Sequence, residues 1–324
     1  MSKITILIPT YNRSSYLDKA IQSALSQSYT NIAVVVSDNA SIDDTETVSR
    51  KYISDPRFTY FRHPANIGMV RNWRYALDNL IDSEYVLILS DDDELIDDDY
   101  LKSVSALLEC NDCDLVFSNG KIEYVDKGCF DIMEQNLSDG IQDGDLLALR
   151  KESIKPQAFT LCNVVFKVDT LKKLNAFNNP NNLICDSELF LSICFSGVVG
   201  YLNNVSSLYR RHSSNLVDTL NKNPEILLGC LDYVSTPYSI ICARSDSSSG
   251  ATRRSFFHKT YMPTIRSVFV NLMVFHNYSR ANAVAAINSC LSKNNTEIYR
   301  AEIIPLVKVA IKKAINFLSV RCHD

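Results

Sequence analysis

The stretch YVLILSDDD at residues 85–93 decides the predicted fold, and Glu94 follows it directly. Its first part, Tyr85 to Leu89, is a short apolar run with several branched side chains, which predicts a strand buried on both faces of a parallel sheet. The run ends in three consecutive acids, which repel one another unless a cation, a helix N-terminus or bulk water compensates them. In open α/β sheets the ligand crevice lies at the carboxyl ends of the strands, where these acids fall.

A hard divalent ion is the simplest compensation for Asp91, Asp92 and Asp93. Mg²⁺ typically binds one or two protein carboxylates and completes its coordination with water and phosphate oxygens. The cluster therefore predicts a diphosphate that is bridged to the protein by Mg²⁺ or Mn²⁺. The alternative interpretation is a solvated acidic turn, because a motif as short as DDD often occurs by chance.

The composition is typical of a soluble globular protein, since 46% of the 324 residues are hydrophobic and 22% are charged. The apolar run at the N-terminus is broken by Pro9 and lacks the cleavage site of a signal peptide. The ten cysteines have no zinc-site spacing. We see no apolar run of the roughly 18–20 uncharged residues that span a bilayer. These features predict a cytoplasmic protein, and we expect no nucleic-acid partner.

The net charge of −4 conceals an asymmetry along the chain. From Ile240 onward there are 12 lysines and arginines against 4 acids, which leaves 21 against 33 before that point, or about +8 and −12. The C-terminal part is therefore basic, and the body of the protein is acidic.

Strand patterns alternate with helical patterns through the first two-thirds of the chain, which predicts parallel βαβ units. We expect strands at 4–8, 32–36, 58–61, 85–89, 114–119, 121–126 and 159–166. Residues 127–157 are expected to be a mostly irregular insertion with a short helix at 145–150, of the kind that often forms a lid or binding loop. Beyond about Asn215 helical patterns dominate, at 224–234, 256–275, 281–291 and 302–320.

Candidates for nucleotide binding lie where the first strands and the third helix begin or end. Tyr11 follows the first strand and can stack on a flat base, although packing is the default role of a loop tyrosine. Asp38 ends the second strand, where it can accept a hydrogen bond from a base. Arg71 lies about 100° off the buried stripe of its helix, so we expect it to face an anion or Asp38. The acids at 97–99 are explained as helix caps and receive no chemical role.

Six segments in this order resemble the GT-A-fold glycosyltransferases of family 2, which build bacterial surface polysaccharides from nucleotide sugars. They are ITILIPTYNR, SDNASIDDT, NIGMVRNW, LSDDDE, CDSEL and YRRH, and they lie within residues 3–215. The resemblance implies a Rossmann-like, mostly parallel sheet flanked by helices, in a catalytic domain of residues 1–215. Residues 216–324 would form a helical C-terminal extension.

The resemblance also implies roles for single residues. Those expected to bind the nucleotide sugar are Pro9, Thr10, Tyr11, Asp38, Arg71, Asp91 and Asp92. Asp93 would bind Mn²⁺ or Mg²⁺ as the last acid of a DXD motif. His212 in YRRH would be a further ligand of the metal or the diphosphate, although a lone histidine is more often a surface or core residue.

Asp186 is the expected catalytic base. In the family a carboxylate at this position deprotonates the acceptor hydroxyl while the metal stabilises the leaving diphosphate, and this direct displacement inverts the anomeric centre. Many relatives have Glu-Asp here, whereas this chain has Cys185 before Asp186. Glu188 is the alternative base, and a structural role for either acid is to cap the helix that follows.

The expected function is transfer of a sugar from a nucleotide-diphosphate donor to a saccharide acceptor, such as a lipid-linked oligosaccharide of an O-antigen or capsule. A catalytically silent binding or scaffold protein of the same fold is the alternative. Lysines line one stripe of the predicted helix at 302–320, which permits contact with an anionic membrane surface or packing on the protein. A dinucleotide-dependent oxidoreductase is excluded, because no glycine precedes Gly68 and the first strand lacks a Gly-rich turn.

Overall fold

The computed structural model describes residues 2–150, 160–212 and 223–294. The chain divides into two compact units, which are described separately. The sheet unit comprises Met1–Pro180 and Gly197–Ser214, and the helical unit comprises Asn181–Ser196 and Asn215–Asp324. The segment around Asp186 therefore belongs with the C-terminal helices.

The strands of the sheet unit form one sheet of ten strands in the described residues. In chain order they are β1 Ile4–Thr10, β2 Ile32–Asp38, β3 Phe58–Arg62, β4 Tyr85–Ile88, β5 Glu94–Leu95, β6 Leu115–Tyr124, β7 Cys129–Met133, β8 Gly140–Gln142, β9 Val164–Lys167 and β10 Val199–Arg211. The order across the sheet is β3-β2-β1-β4-β9-β6-β10-β5, with β7 paired to β6 and β8 paired to β10. The predicted α/β class and flanked sheet are confirmed.

The helices follow the chain in two groups. Those of the sheet unit are α1 Ser14–Leu25, α2 Thr45–Arg50, α3 Met69–Asn79, α4 Tyr100–Cys110, α5 Gly144–Arg150 and α6 Val168–Lys173. Those of the helical unit are α7 Cys185–Ser196, α8 Pro224–Gly229, α9 Asp232–Ala243, α10 Ser249–Phe256, α11 Met262–Phe275 and α12 Arg280–Asn294. A π-helical turn at Phe257–Tyr261 joins α10 to α11. The predicted helix at 302–320 lies outside the described residues.

The parallel half of the sheet positions the candidate site. Strands β3, β2, β1 and β4 are all parallel, and the register places Thr10 beside Asp38 and Leu7 beside Ile88. The run from Tyr85 to Leu89 is fully buried, as its continuous apolar character predicts. Parallel strands end at the same edge, so the ends of β1, β2 and β4 form one polar rim.

The far half of the sheet differs from the expectation of parallel βαβ units. Strand β9 is antiparallel to both β4 and β6, whereas β10 is parallel to β6. Residues 115–124 form one strand, not the two that we predicted. Gly120 lies within this strand, at a place where a Cβ atom would be 2.4 Å from the Met133 side chain. The burial of Phe117 and Ile122 on this strand fits that continuity.

The insertion at 127–157 is more regular than predicted. Its described part contains β7, β8 and α5, of which β7 pairs with β6 and β8 with β10. The apolar side chains Phe130, Ile132 and Ile141 of these strands are exposed. The apolar residues there do not mark a buried face, which is the usual sequence signal of a strand.

The helical unit departs from prediction at three places. The helix expected at 224–234 is two helices, α8 and α9, and the one expected at 256–275 contains the π-helical turn. The stretch Pro224–Ala243 could cross a membrane by its length and composition alone. Half of its most apolar part is buried inside the structure. A core helix meets the same criteria. Our expectation that no stretch reaches that length therefore needs this correction.

Candidate active site

The three acids after β4 are buried at the polar rim of the sheet. Asp91, Asp92 and Asp93 expose 7%, 6% and 2% of their surface. The backbone N–H of Tyr11 at the end of β1 lies 3.4 Å from Asp91 Oδ2. A solvated turn would leave these carboxylates in water, so that alternative interpretation is wrong.

Burial makes the cluster costly when it is fully charged. Desolvation, followed by repulsion from Asp92, raises the pKa of Asp91 to about 7 and raises that of Asp93 well above its usual range. The positive charge of Arg13 acts in the opposite direction on Asp91. The positive charge of Arg13 therefore only partly compensates the negative charge of the acidic cluster.

Arg13 lies between the acids and His212. Its Nη1 donates to Asp92 Oδ2 at 2.6 Å and lies 3.0 Å from His212 Nε2. The same Nε2 is 3.0 Å from Asp92 Oδ2. The imidazole nitrogen and the carboxylate oxygen therefore both lie beside one cationic group, the guanidinium of Arg13. A carboxylate oxygen and an imidazole nitrogen are both ligand types that divalent metal ions bind in proteins.

His212 is held at this position by packing as well. Its ring stacks on Tyr16 of α1, with centroids 5.7 Å apart and an angle of 7° between the planes. The histidine is 7% exposed at the end of β10. Strand β10 thus brings a residue from far along the chain to the rim formed by β1 and β4.

Asp93 has different partners from its two neighbours. Its Oδ1 accepts a hydrogen bond from the backbone N–H of Arg210 at 2.9 Å. The Cys162 thiol also interacts with the Asp93 carboxylate. The guanidinium of Arg210 is buried and donates to the carbonyl of Asp92 at 2.9 Å. It also forms ion pairs with Glu94 and Glu123. Arg210 therefore fixes the backbone on which the acids are presented.

Among the described residues, no three His, Cys, Asp or Glu side chains form a ready-made metal site. The donors do fit an ion that takes one or two protein ligands and completes its coordination with diphosphate oxygens. The structure brings His212 to Asp92, whereas we expected the metal pair to be His212 and Asp93. Asp92 is therefore a ligand candidate beside Asp93.

The expected base-binding residues lie at the ends of β1 and β2. Thr10 is buried, Pro9 is half-buried, and Tyr11 is 43% exposed, which leaves it accessible for stacking. Asp38 is fully buried, and it accepts from Tyr60 Oη at 2.7 Å and from the Ser41 N–H at 2.8 Å.

Arg71 does not supply the ion pair of Asp38. The cation that pairs with Asp38 is Arg62, whose Nε lies 3.4 Å from Asp38 Oδ2. Arg71 is exposed on α3 and lines an open cavity of about 420 Å³, which Tyr75 and Phe177 also line.

The two candidate bases lie in the first turn of α7, in the helical unit. Both are half-buried. Asp186 Oδ1 accepts the N–H of Ser187 at 2.6 Å, which is a local turn contact. Glu188 Oε2 accepts from the Asn182 side chain, and desolvation raises the pKa of Glu188 to about 7. A pKa near neutrality is a property of many general bases, and here Glu188 has it.

Sequence reasoning missed several contributors to the site, above all Arg13, Tyr16 and Arg210. Arg13 and Arg210 stand inside the quoted segments PTYNR and YRRH, so their position beside Tyr11 and His212 was a usable signal. The partners Glu94 and Glu123 carried no such signal, since their pairing with Arg210 depends on the order of strands in the sheet.

In open α/β sheets of this kind, ligands bind in the crevice at the carboxyl ends of the strands, where the acidic cluster of this protein lies. The family model "Glycosyl transferase family 2" matches residues 5–163. The abequosyltransferase RfbV of Salmonella typhimurium is 34% identical over 271 residues, which cover 78% of this chain and 70% of that protein. The chain therefore belongs to glycosyl transferase family 2.

With two other relatives the matched region covers less than two thirds or about two thirds of the relative's length. A Campylobacter jejuni GalNAc(5)-diNAcBac-PP-undecaprenol beta-1,3-glucosyltransferase is 37% identical over 98 residues, which are 30% of this chain and 31% of that protein. An uncharacterized glycosyltransferase of Rickettsia typhi is 25% identical over 220 residues, 67% of this chain and 66% of the relative.

Solved structures support the fold. The structure of S. aureus TarS 1-349 in complex with UDP-GlcNAc matches this fold with a TM-score of 0.65 at 15% identity. The match covers 92% of this chain and 91% of the TarS chain. The mannosyltransferase PcManGT of Pyrobaculum calidifontis, in complex with GDP-Man and Mn²⁺, has a TM-score of 0.50 at 15% identity. That match covers 97% of this chain and 87% of the PcManGT chain. The GT-A fold predicted from the sequence is confirmed.

Proposed function

We propose that this protein is a metal-dependent, inverting glycosyltransferase that moves a sugar from a nucleotide-diphosphate donor to a saccharide acceptor in bacterial surface-polysaccharide synthesis. The observation that carries the proposal is the buried, incompletely compensated cluster Asp91–Asp93 with Arg13 and His212 beside it. Three adjacent buried carboxylates with raised pKa values oppose folding, and a diphosphate with its metal ion would supply the positive charge that they lack.

The residues of the rim have separate tasks in this proposal. Pro9, Thr10 and Tyr11 line the base and ribose, and Asp38 and Arg71 lie on the base side. Asp91 contacts the ribose or sugar, and Asp92, Asp93 and His212 supply the candidate metal ligands. When bound, Mn²⁺ or Mg²⁺ would stabilise the negative charge of the departing diphosphate. Relatives with UDP-GlcNAc, or with GDP-Man and Mn²⁺, in their structures support this choice of donor.

Asp186 is the proposed base that removes the proton of the acceptor hydroxyl, and Glu188 is the alternative. The raised pKa of Glu188 favours it as a proton acceptor near neutrality, whereas the position in CDSEL favours Asp186. Direct displacement by the deprotonated hydroxyl inverts the configuration at the anomeric carbon.

The acceptor is proposed to be a lipid-linked oligosaccharide of the O-antigen or capsule type. This proposal draws on the names of two relatives, the abequosyltransferase RfbV and the Campylobacter jejuni enzyme whose name specifies a PP-undecaprenol acceptor. We propose residues 1–215 as the catalytic domain and a cytoplasmic location with peripheral contact to the inner membrane.

The test is a turnover assay with UDP-, TDP-, GDP- and CDP-sugars, Mn²⁺ or Mg²⁺, and lipid-linked saccharides as acceptors. Release of nucleoside diphosphate that requires both acceptor and metal is expected, and NMR of the product gives the anomeric configuration. Asp186→Asn should abolish turnover while leaving donor binding intact. Glu188→Gln should retain turnover. Donor binding without turnover of any acceptor in the wild-type protein would instead indicate the catalytically silent binding protein.

A further inference from the structure

Helix α3 has an outward side that the proposed reaction uses only at Arg71. The buried stripe of the helix includes Val70, Trp73 and Leu77, which turns the polar side chains away from the core. These polar side chains line the open cavity of about 420 Å³. A cavity of this volume is in the range of binding sites for small organic ligands.

The cavity begins at the polar rim of the sheet and follows α3 away from it. The backbone N–H of Ile67, which lines the cavity, donates to Asn39 Oδ1 at 2.9 Å, and Asn39 directly follows β2. From Arg71 to Asn79 the lining extends about 12 Å along the helix, at about 1.5 Å per residue. The cavity therefore runs along the helix from a point beside the candidate nucleotide site.

The second wall of the cavity is a turn that several contacts hold in place. Asn175 and Phe177 have φ angles of 52° and 60°, in the left-handed region that a bulky side chain such as Phe rarely adopts. Arg74 Nη1 donates to Asn175 Oδ1 at 2.8 Å and to the Ala176 carbonyl at 3.0 Å. The Phe177 ring packs edge-on against Trp73, with centroids 5.5 Å apart. Strained backbone that its neighbours hold in this way is a common property of ligand-binding sites.

Beyond Arg71 the lining of the cavity carries no net charge. An ion pair joins Arg74 Nε to Asp78 Oδ2 at 2.6 Å. The other residues that line this part are uncharged, namely Tyr75, Asn79, Phe177, Asn178 and Pro180. A phosphate group would find no unpaired cation in this part of the cavity, so its lining favours an uncharged ligand.

Two polar side chains of this part are available to a ligand. Within the described residues, neither the Tyr75 hydroxyl nor the Asn178 amide has a hydrogen-bond partner. Each of these groups can both donate and accept, which matches the hydroxyl groups of a sugar. Phe177 and Pro180 add apolar surface, against which the C–H face of a sugar ring can pack.

We propose that the cavity along α3 binds the distal sugar residues of a saccharide acceptor whose reacting end lies at the rim. The proposal rests on the proposed function, and it adds the place where the non-reacting part of the acceptor binds. Three observations carry it, namely the start of the cavity beside the rim, its extent along the helix and its uncharged polar lining. A monosaccharide acceptor would not reach the far part of the cavity.

The dependence of the acceptor KM on acceptor length tests the proposal. The saccharide that supports turnover is compared as mono-, di- and trisaccharide on the same lipid. In the wild-type protein we expect the KM to fall about tenfold from the mono- to the trisaccharide, since each hydrogen bond to a distal sugar contributes about a factor of three to ten. Asn178→Ala and Tyr75→Phe should each reduce this gain. Asn79→Tyr, which fills the cavity, should remove it, with kcat and the donor KM unchanged.

Controls separate the loss of sugar contacts from a change in the fold. Tyr75→Phe keeps the ring that packs on Phe61 and His63 and removes only the hydroxyl. Gln22→Ala removes an exposed amide from α1, another helix of the sheet unit, and should leave the length dependence unchanged. Circular dichroism melting checks the fold of each variant.

Trp73 gives a second measurement that does not require turnover. It is the only tryptophan of the chain, and its ring packs against Phe177 in the wall of the cavity. Titration with the free trisaccharide of the acceptor should change its fluorescence in the wild-type protein, and Asn79→Tyr should abolish this change.

Two results would overturn the proposal and leave the transferase assignment intact. A wild-type KM that does not depend on acceptor length, with no fluorescence change, would show that no distal sugar is bound. A length dependence that persists in both Asn178→Ala and Asn79→Tyr would assign the distal sugars to another part of the protein. The absence of turnover with every acceptor would instead contradict the proposed function, and this proposal would fail with it.

Discussion

His212 Nε2 lies 3.0 Å from Asp92 Oδ2, although the two residues are 120 positions apart in the chain. The contact exists because β10 ends at the same rim as β4, and Arg13 Nη1 lies 2.6 Å from the Asp92 oxygen and 3.0 Å from the His212 nitrogen. The guanidinium of Arg13 supplies a positive charge beside both atoms in the structure. In the proposed function a metal ion competes for the same two acceptors.

Removing Arg13 should therefore strengthen metal binding in the absence of nucleotide. Arg13→Gln frees the Asp92 oxygen and the His212 nitrogen from a charged donor, and we expect the Kd for Mn²⁺ to fall about fivefold or more. Electron paramagnetic resonance of free Mn²⁺ measures this Kd directly. Arg57→Gln is the control, because Arg57 pairs with Asp55 away from the site. A weaker affinity in Arg13→Gln would show that the arginine holds the ligands in place.

Replacing Asp93 should stabilise the protein without metal and abolish its response to metal. Burial raises the pKa of Asp93, so the charged carboxylate opposes folding near neutral pH, and Asn keeps an oxygen for the Arg210 N–H. We expect a gain of about 1 kcal/mol or more in the free energy of unfolding at pH 7.5. Urea unfolding measures it, with the exposed Asp98→Asn as control. A loss of stability in Asp93→Asn would indicate a structural role for its charge.

Replacing Arg210 should destabilise the sheet unit. Its buried guanidinium pairs with Glu94 and Glu123 and donates to the Asp92 carbonyl, so Arg210→Met leaves two carboxylates without their cation. Breaking a buried pair in this way costs about 3–5 kcal/mol. Urea unfolding of Arg210→Met against Arg211→Met, its half-buried neighbour, compares the two sites. Equal effects of the two substitutions would contradict this assignment.

Glu188 should make the stability of the helical unit depend on pH. Its pKa is raised from 4.5 to about 7 in the folded state, chiefly by desolvation. The stability associated with the protonated form is present below the unfolded pKa and is lost as the pH rises through about 7. Glu188→Gln should therefore be nearly neutral at pH 4.5 and stabilising by about 3 kcal/mol at pH 8.5.

Thermal or urea unfolding at both pH values tests this prediction. Glu225→Gln is the matched control, since Glu225 is an exposed acid in the first turn of another helix of the same unit. A pH-independent difference between Glu188→Gln and the wild type would show that the carboxyl group is not desolvated.

The parallel half of the sheet could be predicted from the sequence because each strand is a continuous apolar run that ends in polar residues. Tyr85 to Leu89 has both properties, and its end marks the rim correctly. Strands β7 and β8 could not be predicted in this way, because exposed apolar residues such as Phe130 and Ile141 remove the usual pattern of burial.

The contacts within the site were less predictable than its location. The acids and His212 were identified from the sequence, but the pairing of His212 with Asp92 depends on the order in which β10 and β4 enter the sheet. The sequence also suggested Arg71 as a partner for Asp38, whereas the pairing of β2 with β3 places Arg62 beside it. Long-range pairings of this kind follow from topology, which local patterns do not specify.

Thermal unfolding with added nucleotide and metal ion tests whether Asp91–Asp93 bind a diphosphate through a metal. The protein is heated with Mn²⁺ or Mg²⁺ and each of UDP, TDP, GDP and CDP, beside Asp93→Asn. A ligand at about a hundred times its Kd should stabilise the folded state by roughly 2.7 kcal/mol. We expect one nucleotide to stabilise the wild-type protein only when metal is present, and we expect Asp93→Asn to lose this response. No metal-dependent stabilisation by any of the four nucleotides would contradict the assignment of Asp91–Asp93 to a metal-bound diphosphate.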